Sequence, residues 1–143
     1  MIKPTVLLLD ADPDSQHNVS FLLEIARFQL RCCLDESECL NWLSLARGTG
    51  EEILAVLVGG QLENKKIRDF FQLLESQGHY LPVLVVDRHK SVLKKDELLR
   101  ESCTQLPVYV CAPGEILVML NHFHVLKMSL AATNRTFQML FQS

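Results

Sequence analysis

The chain has 143 residues, of which 48% are hydrophobic and 22% charged, and its formal net charge is −3. These values predict one globular domain that buries about two thirds of its extended surface and needs neither disulfides nor a structural metal. The negative net charge argues against the basic surface on which direct contact with nucleic acid depends.

The cysteines and the first residues of the chain argue against secretion and membrane insertion. The five cysteines are an odd number without a CxxC pair, a pattern that predicts neither a disulfide framework nor zinc binding. The apolar run before Asp10 is too short for a signal peptide or a membrane span. We therefore expect a cytoplasmic protein with free thiols, no cofactor, no metal and no membrane contact.

The first predicted element is a strand over Thr5 to Leu9, an apolar run that ends at Asp10. Asp12 and Pro13 follow at once. An Asp as N-cap with Pro in the first helical position predicts the start of a helix. This helix should end at about Arg27.

A strand, a helix and a second strand are predicted next. Residues 30–34 predict an edge strand, and a helix from about Ser37 should end at Gly48 and Gly50. Ile53 to Val58, ILAVLV, is an unbroken apolar run rich in β-branched residues. Such a run predicts a central parallel strand that is buried on both faces.

The rest of the chain continues this alternation. Alternation with short connections predicts an α/β fold, a three-layer, doubly wound sheet of five parallel strands in the order 2-1-3-4-5. Right-handed crossovers place the first and fifth helices on one face and the other three on the opposite face. The remaining predicted elements are a helix over 67–76, a strand over 81–86, a helix over 93–103, a strand over 106–110 and a helix from Pro113 to about Phe141.

Three motifs occur at regular places in this alternation. They are LLLDADPD at residues 7–14, LPVLVVD at 81–87 and PGEIL at 113–117. In this order and spacing they resemble the first strand, the fourth strand and the start of the fifth helix of a response-regulator receiver domain. The resemblance implies a receiver-like domain over residues 1–126, with an extension of the last helix over 127–143 that is a linker or a dimerisation segment.

Receiver chemistry is phosphoryl transfer to an Asp at the tip of the third strand. A pair of acids after the first strand holds Mg²⁺, a Ser or Thr after the fourth strand bonds the phosphoryl group, and a Lys after the fifth strand pairs with it. In this sequence the nucleophile position falls on Gly59, and neither Val58 nor Gly60 beside it is an Asp.

The other three parts of the receiver site are also altered. The acidic pair is reduced to Asp10 followed by Ala11, unless Asp12 reaches inward, and the Ser or Thr position falls on Asp87. No lysine lies between residues 95 and 127, where the receiver Lys belongs. The resemblance therefore implies a degenerate receiver, or pseudo-receiver, that is not phosphorylated and is not an enzyme.

Two stretches carry a narrower resemblance. LAVLVGGQLENKK at residues 54–66 and YLPVLVV at 80–86 are similar to the N-terminal domain of FleQ-type flagellar regulators, within the NtrC-like sigma-54-dependent activators. This resemblance implies a regulatory domain of a larger parent protein, whose downstream ATPase domain would be a partner.

The last predicted helix is longer than the roughly twelve residues that cover a sheet of this size. Seven of the eight residues at two positions of a heptad repeat are apolar, as in a helix–helix seam. We predict a homodimer through this helix, and the alternative is that the stripe packs on its own domain. The predicted contacts are Phe123, Leu126, Leu130, Phe137 and Leu140.

Two other functions stay open. One is a receiver domain of a two-component system that is phosphorylated on a non-standard acid, Glu63 or Asp87. The other is a flavodoxin-like domain that is an enzyme or binds a ligand such as a nucleotide. A phosphoryl adduct would indicate the first, and a bound chromophore or nucleotide would indicate the second.

Several single features have ordinary structural explanations. Asp10, Asp12 and Asp87 are candidates for a cation site, but an N-cap role explains Asp12 and a solvated loop explains Asp87. The glycine pair that begins at Gly59 lacks the spacing of a phosphate-binding loop. Cys111 has neither a cation nor a base beside it in sequence, so we expect an inert core thiol.

Overall fold

A computed structural model describes residues 3–59, 64–86 and 106–141, and of residues 131–141 it describes the backbone alone. Five strands form one parallel sheet in the order β2-β1-β3-β4-β5. The predicted fold class and strand order are therefore confirmed. The strands are β1 Thr5–Leu9, β2 Gln29–Cys33, β3 Ile53–Val58, β4 Val83–Val86 and β5 Val108–Cys111.

The described helices are the predicted ones, with ends that shift by a few residues. The predicted helix over 93–103 lies outside the described residues. We name the last helix the C-terminal helix, and a short 3₁₀ turn, Pro113–Glu115, precedes it. The helices are α1 Pro13–Ile25, α2 Glu36–Thr49, α3 Asn64–Ser76 and the C-terminal helix Ile116–Phe141.

Local capping explains where α1 begins and where α1 and α2 end. The Asp12 carboxylate accepts a hydrogen bond from the Asp14 backbone N–H at 3.1 Å, as predicted for an N-cap. Helix α1 ends before Arg27 because this residue adopts the left-handed conformation, with φ 64°. Helix α2 continues through Gly48 and ends at Gly50, whose φ is 75°.

The sheet separates two apolar cores. Leu7 and Leu9 of β1 point to the core that α2 and α3 cover, whereas Val6 and Leu8 point to the core that α1 and the C-terminal helix cover. This arrangement agrees with the predicted placement of the helices for all four that the structure describes. Strand β3 lies at the centre, and residues 54–58 are all buried.

Cys32, Cys33 and Cys39 are free thiols, and the pKa of two of them is raised. A hydrogen bond with Cys33, together with burial, raises the pKa of Cys39 far above its ordinary value. Burial and nearby negative groups raise the pKa of Cys32. Cys111 is buried, in agreement with the expected core thiol. None of the described helices is long and apolar enough to cross a membrane.

A buried histidine joins α2 to the turn after α3. The Arg47 guanidinium donates hydrogen bonds to the carbonyl oxygens of Gln77 and Gly78 at 3.3 and 3.0 Å. The same nitrogen lies 2.9 Å from Nδ1 of His79, and because arginine only donates, the imidazole must be neutral with Nδ1 as acceptor. His79 is 6% exposed, and its Nε2 has no hydrogen-bond partner among the described residues. Burial and the Arg47 charge lower the pKa of His79.

We predict that acid destabilises the domain through His79. In the unfolded chain this imidazole takes up a proton near its ordinary pKa of about 6.5, whereas the folded domain keeps it neutral to a lower pH. Its contribution to stability is therefore present above the ordinary pKa and is lost as the pH falls from that value to the lower pKa of the folded domain. His79→Gln keeps an acceptor for Arg47 but cannot titrate, so its urea midpoint should fall less between pH 7.5 and 5.

The control for this measurement is His17→Gln, because His17 is an exposed histidine on α1. This variant should keep the pH dependence of the unaltered chain. If the His79→Gln and unaltered proteins lose stability in parallel on acidification, then His79 does not titrate with folding.

Candidate functional site

The carboxyl ends of β1 and β3 meet at the edge of the sheet where a receiver places its reacting groups. Leu9 is aligned with Val58, and the Gly59 N–H donates a hydrogen bond to the Leu9 carbonyl at 2.9 Å. The Asp10 N–H donates to the Cys33 carbonyl at 3.2 Å. Asp10 therefore lies between the ends of β2 and β3, directly beside Gly59.

The Asp10 side chain is buried and held by hydrogen bonds. Its exposed fraction is 6%. Oδ1 accepts a hydrogen bond from the Asp12 backbone N–H at 3.0 Å, and Oδ2 accepts one from the hydroxyl of Ser15, which is 1% exposed. The Gln16 side-chain amide donates to the Asp10 carbonyl oxygen. The N-cap and the first turn of α1 thus hold both the backbone and the carboxylate of this residue.

The Asp10 carboxylate occupies the space in front of Gly59. A Cβ atom added to Gly59 would lie 2.5 Å from Oδ2 and 2.6 Å from Cγ of Asp10. Both distances are far inside van der Waals contact, so a side chain at position 59 requires Asp10 to move. Position 59 is where the resemblance to receivers predicts the phosphoacceptor Asp. The space for that side chain is filled by a carboxylate from the neighbouring strand.

The acidic pair of a receiver is not present here in its usual form. Ala11 is exposed, and the Asp12 carboxylate caps α1 through the Asp14 N–H. Among the described residues no three histidine, cysteine, aspartate or glutamate side chains are grouped as metal ligands. The other acid of the predicted cation site, Asp87, lies outside the described residues, as do Gly60 and Glu63.

The position after β5 carries no cation. The strand ends at Cys111, and Ala112 and Pro113 lead into the C-terminal helix. The Ala112 N–H donates to the Glu115 carboxylate at 3.0 Å. A receiver uses a Lys at this point to balance the phosphoryl charge, and this chain has a cysteine and an alanine there.

The predicted dimer contacts on the C-terminal helix include one buried residue and two exposed ones. Phe123 is 6% exposed and packs on Tyr109 with ring centroids 5.3 Å apart, so it belongs to the core of its own domain. Phe123 must therefore be removed from the predicted dimer contacts. Leu126 and Leu130 are 48% and 64% exposed. Phe137 and Leu140 lie in the helix, and their side chains are outside the description.

Sequence reasoning missed the residues that lock Asp10 in place. Ser15 and Gln16 appear in sequence as ordinary first-turn residues of a surface helix. The one available indication was the spacing, since a hydroxyl five residues after a strand-end Asp can turn back toward it once the helix starts at Pro13. Leu120 was also missed, because it lies between the two heptad positions yet is fully buried.

The structure resembles solved receiver domains at low sequence identity. The receiver domain of the Francisella response regulator 1452 has a TM-score of 0.66 and 16% identity, with 87% of this chain and 99% of that chain covered. A receiver domain protein from Clostridium thermocellum has a TM-score of 0.65 and 16% identity, with 89% and 98% covered. NtrX from Brucella abortus has a TM-score of 0.63 and 15% identity, but 93% of this chain covers only 29% of that chain.

No protein-family model matches the sequence, and no curated protein matches it. The likeness to solved structures nevertheless shows that the chain has the fold of a response-regulator receiver domain, as the resemblance predicted. Receiver domains are regulatory. At the positions that the resemblance assigns to the phosphoacceptor Asp and the Lys of a receiver, this sequence has Gly59 and the pair Cys111 and Ala112.

We predict that Gly59→Ala destabilises the domain by about 1–3 kcal/mol, the usual cost of overpacking a core, because the new methyl group collides with the Asp10 carboxylate. Gly48→Ala is the matched control. A Cβ there meets no atom within 4 Å, so this change inside α2 should stabilise by about 0.5–1 kcal/mol. Chemical denaturation of the purified variants measures both values.

A double-mutant cycle assigns the cost of Gly59→Ala to the Asp10 side chain. In an Asp10→Gly background the cost should fall to about half or less, because the two changes act on one contact. Additive effects of the two substitutions would mean that the collision does not involve this carboxylate.

Proposed function

We propose that this chain is a receiver-like regulatory and dimerisation module that is not phosphorylated. The observation that carries the proposal is the Asp10 carboxylate in the space of the missing phosphoacceptor, 2.5 Å from a Cβ at position 59. An acyl phosphate needs a carboxylate at that tip with room for three phosphoryl oxygens around it. Here one carboxylate is buried and bonded to Ser15 and to the Asp12 N–H.

Charge supports the same proposal. Phosphoryl transfer to a carboxylate depends on cations that neutralise the developing negative charge. The strand ends bring Asp10 to this site, and β5 ends on Cys111 without a lysine. A phosphoryl group would meet negative charge and no fixed lysine at the end of β5.

The parent protein that we propose is a sigma-54-dependent activator of the FleQ type, in which this chain is the N-terminal regulatory domain. Support comes from the sequence resemblance over residues 54–66 and 80–86. Contact with DNA would then belong to another domain, in keeping with the net charge of −3. The role of this domain would be to pair two protomers through the C-terminal helix and so to position the downstream ATPase domains.

We expect that incubation with acetyl phosphate and Mg²⁺ leaves the intact mass of the protein unchanged. The reason is that no nucleophile is present at Gly59 and no cation follows β5. Intact-mass spectrometry measures the result, with an active receiver domain treated in parallel as positive control. A phosphoryl adduct that maps to Glu63 or Asp87 would support the non-standard receiver instead, and the proposed function would be abandoned.

We also expect the purified chain to be a dimer at about 100 μM that Leu126→Asp and Leu130→Asp each convert into a folded monomer. Each leucine is exposed on the C-terminal helix, and leaving such a side chain in water costs about 1.5–3 kcal/mol. Val118→Asp is the matched control, because Val118 is 69% exposed on the same helix but outside the predicted contacts. Sedimentation equilibrium reports the masses, and a monomeric unaltered chain at this concentration would refute the dimer.

A further inference from the structure

A groove of about 300 Å³ lies where the C-terminal helix passes the amino-terminal edge of the sheet. We name it the corner groove. One wall comes from the segment before β4 and from β5, and the other wall comes from the helix. Its floor is Phe123, which is buried in the domain. The side chains used below are Tyr80 and Tyr109 on the sheet side and Leu126 and Leu130 on the helix side.

The walls of the corner groove expose large apolar side chains. Tyr80 is 67% exposed and Tyr109 is 41% exposed. Leu126 and Leu130 on the opposite wall are 48% and 64% exposed. Aromatic residues around an apolar depression are typical of contact sites, since they bury a large area at a small cost in side-chain entropy. The groove lies at the edge opposite to Asp10 and Gly59, so it is separate from the degenerate site.

An ion pair fixes the helix where it forms the groove. The Lys127 ammonium lies 2.8 Å from the Glu52 carboxylate in the segment before β3. Both side chains are partly exposed, so this pair adds little stability, but it ties the helix to the sheet edge between Leu126 and Leu130.

The chain itself supplies a segment with the chemistry that the groove requires. The helix continues for eleven residues from Leu130 to its end at Phe141, about 16 Å. Arg135 is the one charged residue in residues 131–141, and the sequence there includes Phe137, Met139 and Leu140. Apolar side chains on such a segment favour burial against a partner over exposure to water.

We propose that the corner groove receives the end of the C-terminal helix from a second copy of this chain. Each protomer carries one groove and one helix end, so a two-fold arrangement fills both grooves with the same contact. The dimer is then held by helix against domain as well as by helix against helix. This inference rests on the proposed dimerisation and adds the surface that accepts the partner.

The test is the dimer dissociation constant of Tyr80→Ser, measured by sedimentation equilibrium. Tyr80 contributes a wall of the groove and is mostly exposed in the protomer, so the variant should fold normally, which circular dichroism verifies. We expect the dissociation constant to rise about tenfold or more, as for an aromatic contact residue. Phe21→Ser is the control, because Phe21 is 61% exposed on α1 and outside the groove, and it should leave the constant unchanged.

The outcomes separate this inference from the dimer itself. If Leu130→Asp gives a monomer while Tyr80→Ser dimerises as tightly as the unaltered chain, the helices pair without the groove and the inference is wrong although the dimer stands. If the unaltered chain is a monomer, both fail. A photo-crosslinker at position 80, in a mixture of isotopically light and heavy chains, should link to residues 131–143 of the other copy, and a link to any other region would also overturn the inference.

Discussion

The constraint on which the rest of the site depends is the position of the Asp10 carboxylate, which lies where a Cβ of residue 59 would be. Parallel pairing of β1 with β3 brings the two strand ends together, and the Gly59 N–H bonds to Leu9 at 2.9 Å. With a hydrogen atom in place of a side chain at position 59, the carboxylate can turn over the end of β3 and accept the Ser15 hydroxyl. The buried position of the Asp10 carboxylate therefore depends on the absence of a side chain at Gly59.

Under the proposed function, the arrangement of Asp10 and Gly59 explains how a receiver fold is kept without receiver chemistry. In an active receiver the edge of the sheet needs an open, hydrated group of carboxylates that can take a metal and a phosphoryl group. Here the Asp10 carboxylate accepts hydrogen bonds from the Asp12 N–H, just before α1, and from the Ser15 hydroxyl in its first turn. Under the proposed function, the domain has a fixed strand end in place of a phosphorylation switch, and regulation acts through association.

The sequence predicted the fold well because its elements are patterned over their whole length. The run ILAVLV predicted both ends of the central strand, and Asp12 with Pro13 predicted the start of α1. For the site, the sequence predicted only that receiver residues are missing. An absent Asp is visible in the sequence, whereas the 2.5 Å distance from the Asp10 carboxylate to a Cβ at position 59 is not. The corner groove was not predicted, because Tyr80, Tyr109 and Leu130 are brought together by three different elements. Burial of Phe123 was missed for a related reason, since a heptad pattern does not tell a partner helix from the chain's own sheet.

The central claim, that the Asp10 carboxylate closes the phosphoacceptor site, is tested most directly by two-dimensional amide NMR of the ¹⁵N-labelled protein with added beryllofluoride and Mg²⁺. Asp12 and Ser15 bond to the carboxylate and Gly59 lies beside it, so the backbone amides of these three residues report any group that enters. We predict that the resonances of these amides do not shift at millimolar concentrations of both reagents. Saturable shifts confined to these three amides would contradict it, because they would require Asp10 to move and the site to accept a phosphoryl analogue.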